Sequence, residues 1–424
     1  METEILIVGC GVAGLYCALN LPADKLVTII TKDACEKSDS FLAQGGICVL
    51  HDENDYDAFF ADTMRAGHGE NNPAAVDAMI RSSRAVIDDL VAFGTDFARS
   101  GDDFAYTKEG AHSRPRILFH EDETGREITS HLLAEVRTRP NITLIEYCTM
   151  VDLLTADGEC RGIIARDRDG RYFAIHADYT VLATGGIGGL FTHSTNYRHL
   201  TGDALALALE HNVRLAHIDY IQIHPTTLYT KDEGRAFLIS ESVRGEGAIL
   251  LNGKGERFVD ELQPRDVVTA AILAEMKKEG SEHVWLSLDP IPTEEIRSHF
   301  PHIYEHCLQA GYDITKEPIP VVPAQHYFMG GIDVDLDSQT SMERLYAVGE
   351  TACNGVHGRN RLASNSLLES LVFARRAAQK ITNTYQKAPK TAVPDISPEH
   401  YAESTGAYKA AVLAAIEKEK QSHA

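Results

Sequence analysis

The chain opens with a short apolar strand that runs directly into a glycine-rich turn, Glu4 to Leu15 reading EILIVGCGVAGL. Ile5 to Val8 form a continuous apolar run suited to a parallel strand buried on both faces. Gly9, Gly11 and Gly14 follow on the G-x-G-x-x-G spacing. The first permits a tight turn, the second lets a pyrophosphate approach the backbone, and the third lets the next helix pack closely on the sheet. The free N–H groups of that helix then face the phosphates. The pattern predicts a bound dinucleotide. A second strand is expected at Leu26 to Ile30, but Thr31 and Lys32 stand where an acidic residue would hold a ribose hydroxyl, so a plain NAD dehydrogenase fits poorly.

Two more strand ends lead into glycines: Tyr179 to Ala183 in YTVLATGGIGGLF, and Leu345 to Val348 before GETACNGVHG. Their convergence on one ligand would make a discontinuous dinucleotide domain from residues 1–220 and 331–385, with 221–330 inserted as a capping lobe that holds Trp285 and Pro290 to Pro292. The segment LLESLVFARRAAQKI has helical apolar spacing, with Asn365 and Ser366 offered as its cap. Residues 386–424 are expected to hold a Pro-containing linker, Lys387 to Pro398, and a short helix, Tyr408 to Lys420.

Composition narrows the partners. Forty basic against sixty-two acidic side chains give a net charge of −22, which opposes nucleic acid and anionic membrane surfaces. Any anionic substrate must therefore meet a local cationic pocket. No window approaches the run of about 18 apolar residues that a membrane span needs. The eight cysteines are scattered without a C-x-x-C pair or a metal-site spacing, and the start of the chain lacks a signal-peptide pattern. A soluble cytoplasmic protein with reduced thiols and no metal is expected.

Several segments carry polar chemistry. SDSFLAQGGI packs small and polar groups around Gln44, Gly45 and Gly46. TKEGAHSRPRILFHEDETG holds Glu109, His112, Arg114, Arg116, His120 and Asp122, a mixture that on spacing alone reads as a solvated loop. His224 follows an alternating strand, Glu241 and Arg244 sit three apart as an ordinary helical ion pair, and Arg265 and Asp266 stand at a helix entrance after Pro264. His326 lies beside two glycines, and His357, Arg359 and Arg361 precede another helix. Together these cations and neutral donors suit a dicarboxylate, which arginine can clamp through two parallel N–H bonds.

In this order the motifs resemble one family, the flavoprotein oxidoreductases that include L-aspartate oxidase and the flavoprotein subunits of succinate dehydrogenase and fumarate reductase. The carrying segments run from GCGVAGL through SDSFLAQGG, TGGIGGLF, TGDALALA, IQIHPT, SESVRGEGA, RFVDE, PRDVV and HYFMGGI to VGETACNGVHGRNRLASNSLLES. The resemblance implies an α/β fold: a discontinuous Rossmann-like FAD-binding domain, an inserted α+β capping domain and a short C-terminal helical segment, truncated relative to the family's helical domain. The respiratory members carry a covalently flavinylated histidine five positions before the Gln of AQGG. Asp39 occupies that position here, which implies non-covalent FAD. The EGAHS and RLASNSLLE segments also look like the oxidase branch.

The resemblance further implies roles. FAD would meet Gly9, Cys10, Gly11, Val12, Ala13 and Gly14, with Lys32 on the adenosine side. Asp39, Ser40, Phe41, Leu42, Ala43, Gln44, Gly45 and Gly46 would line the flavin, completed by Asp203, Glu350, Ser366 and Leu367. His224, Ser240, His326 and Arg361, with Gln222 as a further candidate, would hold the substrate's carboxylates. Glu109 would receive its ammonium group, a contact succinate cannot offer. Arg265 would do acid–base work, with Glu241 and Arg244 as its proton path. The implied reaction is oxidation of L-aspartate to iminoaspartate, the first step of de novo NAD biosynthesis, with oxygen or fumarate taking the electrons and quinolinate synthase the imine. The alternatives are a soluble fumarate reductase or succinate-oxidising flavoprotein and a non-enzymatic flavin-binding module. Retention of Arg265, Glu241, His224 and His326 argues against the module.

Overall fold

Ile5 and Ile7 point to one side of the first strand and Leu6 and Val8 to the other, and both sides are buried. That strand, Glu2–Val8, is therefore central. The computed structural model describes residues 1–231, 234–389, 391–393, 396, 398–401 and 404–422. Glu2–Val8 pairs in parallel with Val27–Thr31 on one flank and Tyr172–Leu182 on the other, and Val27–Thr31 pairs with Ile142–Glu146. The long Tyr172–Leu182 strand is shared. Its first half pairs antiparallel with Glu159–Arg166, and its second half pairs in parallel with Leu345–Ala347, so a strand from late in the chain completes the same sheet.

Two cores sandwich this sheet. Ile5, Ile7 and Ile29 pack with Leu15, Val76, Leu132 and Leu371 from the helices Val12–Leu19, Pro73–Ala92, Thr124–Thr138 and Asn365–Thr384. Leu6, Val8 and Ile30 pack with Leu205 and Leu207 of the helix Asp203–Glu210 and with Val412 and Ile416 of the helix Ser404–Ser422. The final helix is longer than the sequence pattern indicated, and Tyr408 Oη donates to Val151 O at 2.6 Å. In the linker, residues 390, 394–395 and 397 lie outside the described residues, and a short helix, Pro398–Tyr401, closes it.

From Ile221 to Phe328 the chain builds a second sheet, antiparallel, in the order Ile221–Leu228, Ile319–Phe328, Val284–Ser287, Ile249–Leu251. It has its own apolar core, in which Val268 and Ile272 of the helix Arg265–Glu279 meet Leu286, Ile319 and Val321. His224 and Pro225 lie within the Ile221–Leu228 strand, which continues past them through an irregularity in register between His224 and Thr227. Asp122 ties the two parts of the molecule, accepting from the N–H groups of Ile303 at 2.7 Å and His302 at 3.3 Å.

Candidate active site

The three strand-to-glycine turns meet. Gly9 to Ala13, Ala183 to Gly185 and Val348 to Glu350 line one long cleft, which continues to Glu109, His224, Glu241, Arg265, His326 and Arg361. Gly9 and Gly14 are sterically required. A Cβ on Gly9, whose φ is +122°, would lie 2.0 Å from Ala183 O, and one on Gly14 would lie 2.1 Å from Gly9 O. Gly14 accordingly packs helix on loop and does not line the cleft.

The dinucleotide half fits FAD by its donors and its unpartnered atoms. Lys32 Nζ binds Asp203 Oδ2 at 2.6 Å, Thr201 Oγ1 at 3.1 Å and His199 O at 2.9 Å, so the acidic group missing after the second strand arrives from a distant helix. Farther along, Ser38 Oγ, Asp39 Oδ2 and Gln44 Oε1 are buried without a protein partner. Burial pushes the Asp39 carboxyl up to about 7. Burial, and then Asp39, push Glu350 up to about 8, while its Oε1 accepts from Phe328 N–H at 2.9 Å. Ser40, Leu42, Ala43, Gln44, Gly45, Gly46, Ser366 and Leu367 line this half, whereas half-buried Phe41 packs against the core. The helix Asn365–Thr384 begins at Asn365, the first residue of the proposed cap, so the cap lies one residue earlier. Ser364 takes the cap position at φ +60° and gives its hydroxyl to Glu109, not to the helix.

The segment read as a solvated loop is largely buried. Arg116, wholly enclosed, binds Asp55 at 2.9 Å and Asp62 at 2.8 Å, partners more than fifty residues away in sequence. His112 bonds Ala363 O through Nε2 at 3.0 Å, and Arg114 lies on the surface. Glu109 reaches the cleft, where Ser242 Oγ donates to its Oε1 at 2.9 Å and Ser364 Oγ to its Oε2 at 2.5 Å. Among the described residues it has no ion pair. Burial and then the nearby Glu241 raise its pKa, against the two hydroxyl donors and Arg265.

The same cleft holds a cluster of donors. Arg265 Nε binds Glu241 Oε2 at 2.5 Å and its Nη1 binds Gln222 Oε1 at 2.9 Å, which fixes the guanidinium plane. Arg244 Nη2 lies 3.5 Å from the same Glu241 oxygen, and Arg244 Nη1 donates to Glu261 O at 2.6 Å. Burial would raise the Glu241 carboxyl, but Arg265 and Arg244 outweigh it and hold the group below its ordinary value. Burial, with Arg265 as the next cause, lowers Arg361 to about 10 and drives His224 and His326 well below the usual histidine range. Burial thus favours the neutral form of both imidazoles. His224 Nε2 and Arg361 Nε are buried with no protein acceptor. A dianion would supply the charge and the acceptors that this wall lacks.

Other assignments shift. Gln222 does not line the cleft; its amide is spent on Arg265, Asn360 Oδ1 and Arg361 O, which makes it a support for both arginines. His357 is buried and pushed down to about 3, and Arg359 sits on the surface facing Glu70, so Arg361 is the cation of that segment that reaches the cleft. Small polar residues that carried no signal in the sequence hold the functional groups: Thr195 Oγ1 lies 2.7 Å from His326 Nδ1, and Ser242 and Ser364 grip Glu109.

Known proteins resemble this chain in sequence and in fold. The FAD binding domain family matches residues 4–367. L-Aspartate oxidase of Clostridium perfringens is 50% identical over 383 residues, covering 90% of this chain and 87% of the relative. L-Aspartate oxidase of Clostridium acetobutylicum is 49% identical, covering 91% and 89% respectively. Among solved structures, the FrdA chain of an E. coli quinol fumarate reductase variant superposes with a TM-score of 0.85 at 30% identity, over 96% of this chain and 74% of that one. By its matched domain, its relatives and its fold, the chain belongs to the L-aspartate oxidase family of FAD-binding oxidoreductases.

Proposed function

We propose that the protein oxidises L-aspartate to iminoaspartate with non-covalent FAD, the electrons going on to oxygen, giving hydrogen peroxide, or to fumarate, giving succinate. The observation that carries this reading is Glu109, a buried carboxylate held by hydroxyl donors and, among the described residues, in no ion pair, which lines the same cleft as Arg265, Arg361, His224 and His326. A ligand with an ammonium group and two carboxylates matches this set of groups. FAD, when bound, supplies the two-electron acceptor.

The chain's own residues then divide the work. Arg361, His224 and His326 bind the carboxylates, Ser240 lines the cleft beside them with its hydroxyl proton given to Ser242, and Glu109 takes the ammonium. Those contacts fix which face of Cα turns toward the cofactor half of the cleft. Arg265 handles the proton. A guanidinium stays protonated, so Arg265 gives or takes a proton only as part of a relay in which Glu241 Oε2 and Arg244 restore its balance. The lowered pKa of Arg244, due first to burial, eases that exchange. Residues 221–330, as a capping domain over residues 1–220 and 331–385, would exclude water from an imine that hydrolyses readily.

Among the described residues no helix is long and apolar enough to cross a membrane. With the acidic composition and scattered thiols this supports a cytoplasmic setting, where quinolinate synthase would take the imine onward. The test is product balance. Aerobic incubation of the holoenzyme with L-aspartate is expected to give peroxide and oxaloacetate, the hydrolysed imine, in equal amounts. Oxidation of succinate in place of L-aspartate would instead identify a succinate-oxidising flavoprotein.

A further inference from the structure

Glu109 is held from two sides by a directional chain of hydroxyls. Ionised, it can only accept, so Ser242 must spend its proton on Oε1 at 2.9 Å and Ser364 its proton on Oε2 at 2.5 Å. Each serine is then supplied from behind. Ser240 Oγ donates to Ser242 Oγ at 3.1 Å, and the N–H of Gly46 donates to Ser364 Oγ at 3.2 Å. The chain therefore runs from the capping segment, through the carboxylate, to the Gln44-Gly45-Gly46 loop. Ser364, left-handed at φ +60°, makes no side-chain cap bond to the helix it precedes and gives its hydroxyl to this chain instead.

Ser242 differs from its neighbours in one respect. Ser240, Glu241 and Ser364 line the cleft, whereas Ser242 does not and meets it only through Glu109. We propose that Ser242 is a positioning residue that sets the preference of the cleft for an amino dicarboxylate over a plain dicarboxylate. It fixes Oε1 of Glu109 toward the incoming ammonium. This inference rests on the reading of Glu109 as the ammonium partner. A substrate without an amino group makes no demand on that oxygen, so the loss of Ser242 is felt by one substrate class only.

The experiment compares FAD-loaded Ser242→Ala, Ser242→Thr and Glu109→Gln proteins in L-aspartate oxidation and in fumarate reduction driven by a reduced dye. Losing one hydrogen bond to a buried carboxylate is expected to raise KM for L-aspartate about tenfold in Ser242→Ala, with kcat held and KM for fumarate within about twofold of wild type. Threonine, which restores the hydroxyl, is expected to restore KM. A parallel rise in both KM values, or no rescue by threonine, would overturn the proposal in favour of a merely structural serine. If Glu109→Gln discriminates between the substrates and Ser242→Ala does not, only this inference falls. If Glu109→Gln itself fails to discriminate, the ammonium reading falls and takes this inference with it.

Discussion

Replacing Glu109 with Gln is expected to lower kcat/KM for L-aspartate by about a hundredfold or more, while fumarate reduction changes only a few-fold. The magnitude follows from the buried charge pair. Removing one partner of such a pair costs about 3 kcal/mol, which corresponds to about a hundredfold in kcat/KM. The change is nearly isosteric, and an amide can still bond Ser242 and Ser364, so the cleft should keep its shape. The pH dependence checks the same point. Burial and Glu241 raise the pKa of Glu109, so the protonated, non-binding form builds up as pH falls, beginning above the ordinary carboxylate range. KM for L-aspartate should therefore climb on acidification in the wild type, and the Gln variant should lose that dependence. Steady-state kinetics across pH with both substrates decide it. Equal losses for L-aspartate and fumarate would remove the amino-group role.

Arg265→Lys is expected to slow substrate oxidation by about a thousandfold, within the range that a positioned proton-transfer group contributes. The variant keeps a positive charge. It loses the fork, because a single ammonium cannot bond Glu241 Oε2 and Gln222 Oε1 in the fixed plane that the guanidinium holds, nor share protons along the same line to Arg244. Substrate affinity should fall much less than the rate, since Arg361, His224 and His326 still carry the carboxylate contacts. Rapid-mixing absorbance under anaerobic conditions separates the two quantities. A rate within a few-fold of wild type would show that charge alone suffices at this position and that no relay runs through it.

Local features of the fold and cleft were legible in the sequence, and features that depend on distant partners were not. The Gly9-Gly11-Gly14 turn is legible because its whole logic lies within a dozen residues, from the apolar strand to the helix entrance. Glu241 with Arg244, and Arg265 at a helix start, were visible as patterns whose meaning needed the third dimension: Glu241 Oε2 serves both arginines only because two segments fold together. The Glu109-to-Asp122 segment misled for the same reason. Arg116 reads as solvated until Asp55 and Asp62 enclose it, and nothing near it in sequence announces them. Lys32 likewise finds Asp203 across 171 positions. Serines and threonines that hold cleft side chains have no periodicity at all, so nothing in the sequence marks Ser242, Ser364 and Thr195 as the partners of Glu109 and His326. Phe41 and Gln222 share motifs with cleft residues but do not line the cleft: Phe41 packs on the core and Gln222 bonds Arg265.

The central claim is that this cleft oxidises the amino dicarboxylate itself, with flavin that is not covalently attached. The most direct measurement is anaerobic: mix the yellow holoprotein with L-aspartate, D-aspartate or succinate, follow the flavin's visible absorption, and then precipitate the protein with acid. Selective bleaching by L-aspartate, with the flavin left in the supernatant, is the predicted result. Bleaching by succinate alone, or flavin that stays with the precipitate, would contradict it and place the protein with the respiratory type.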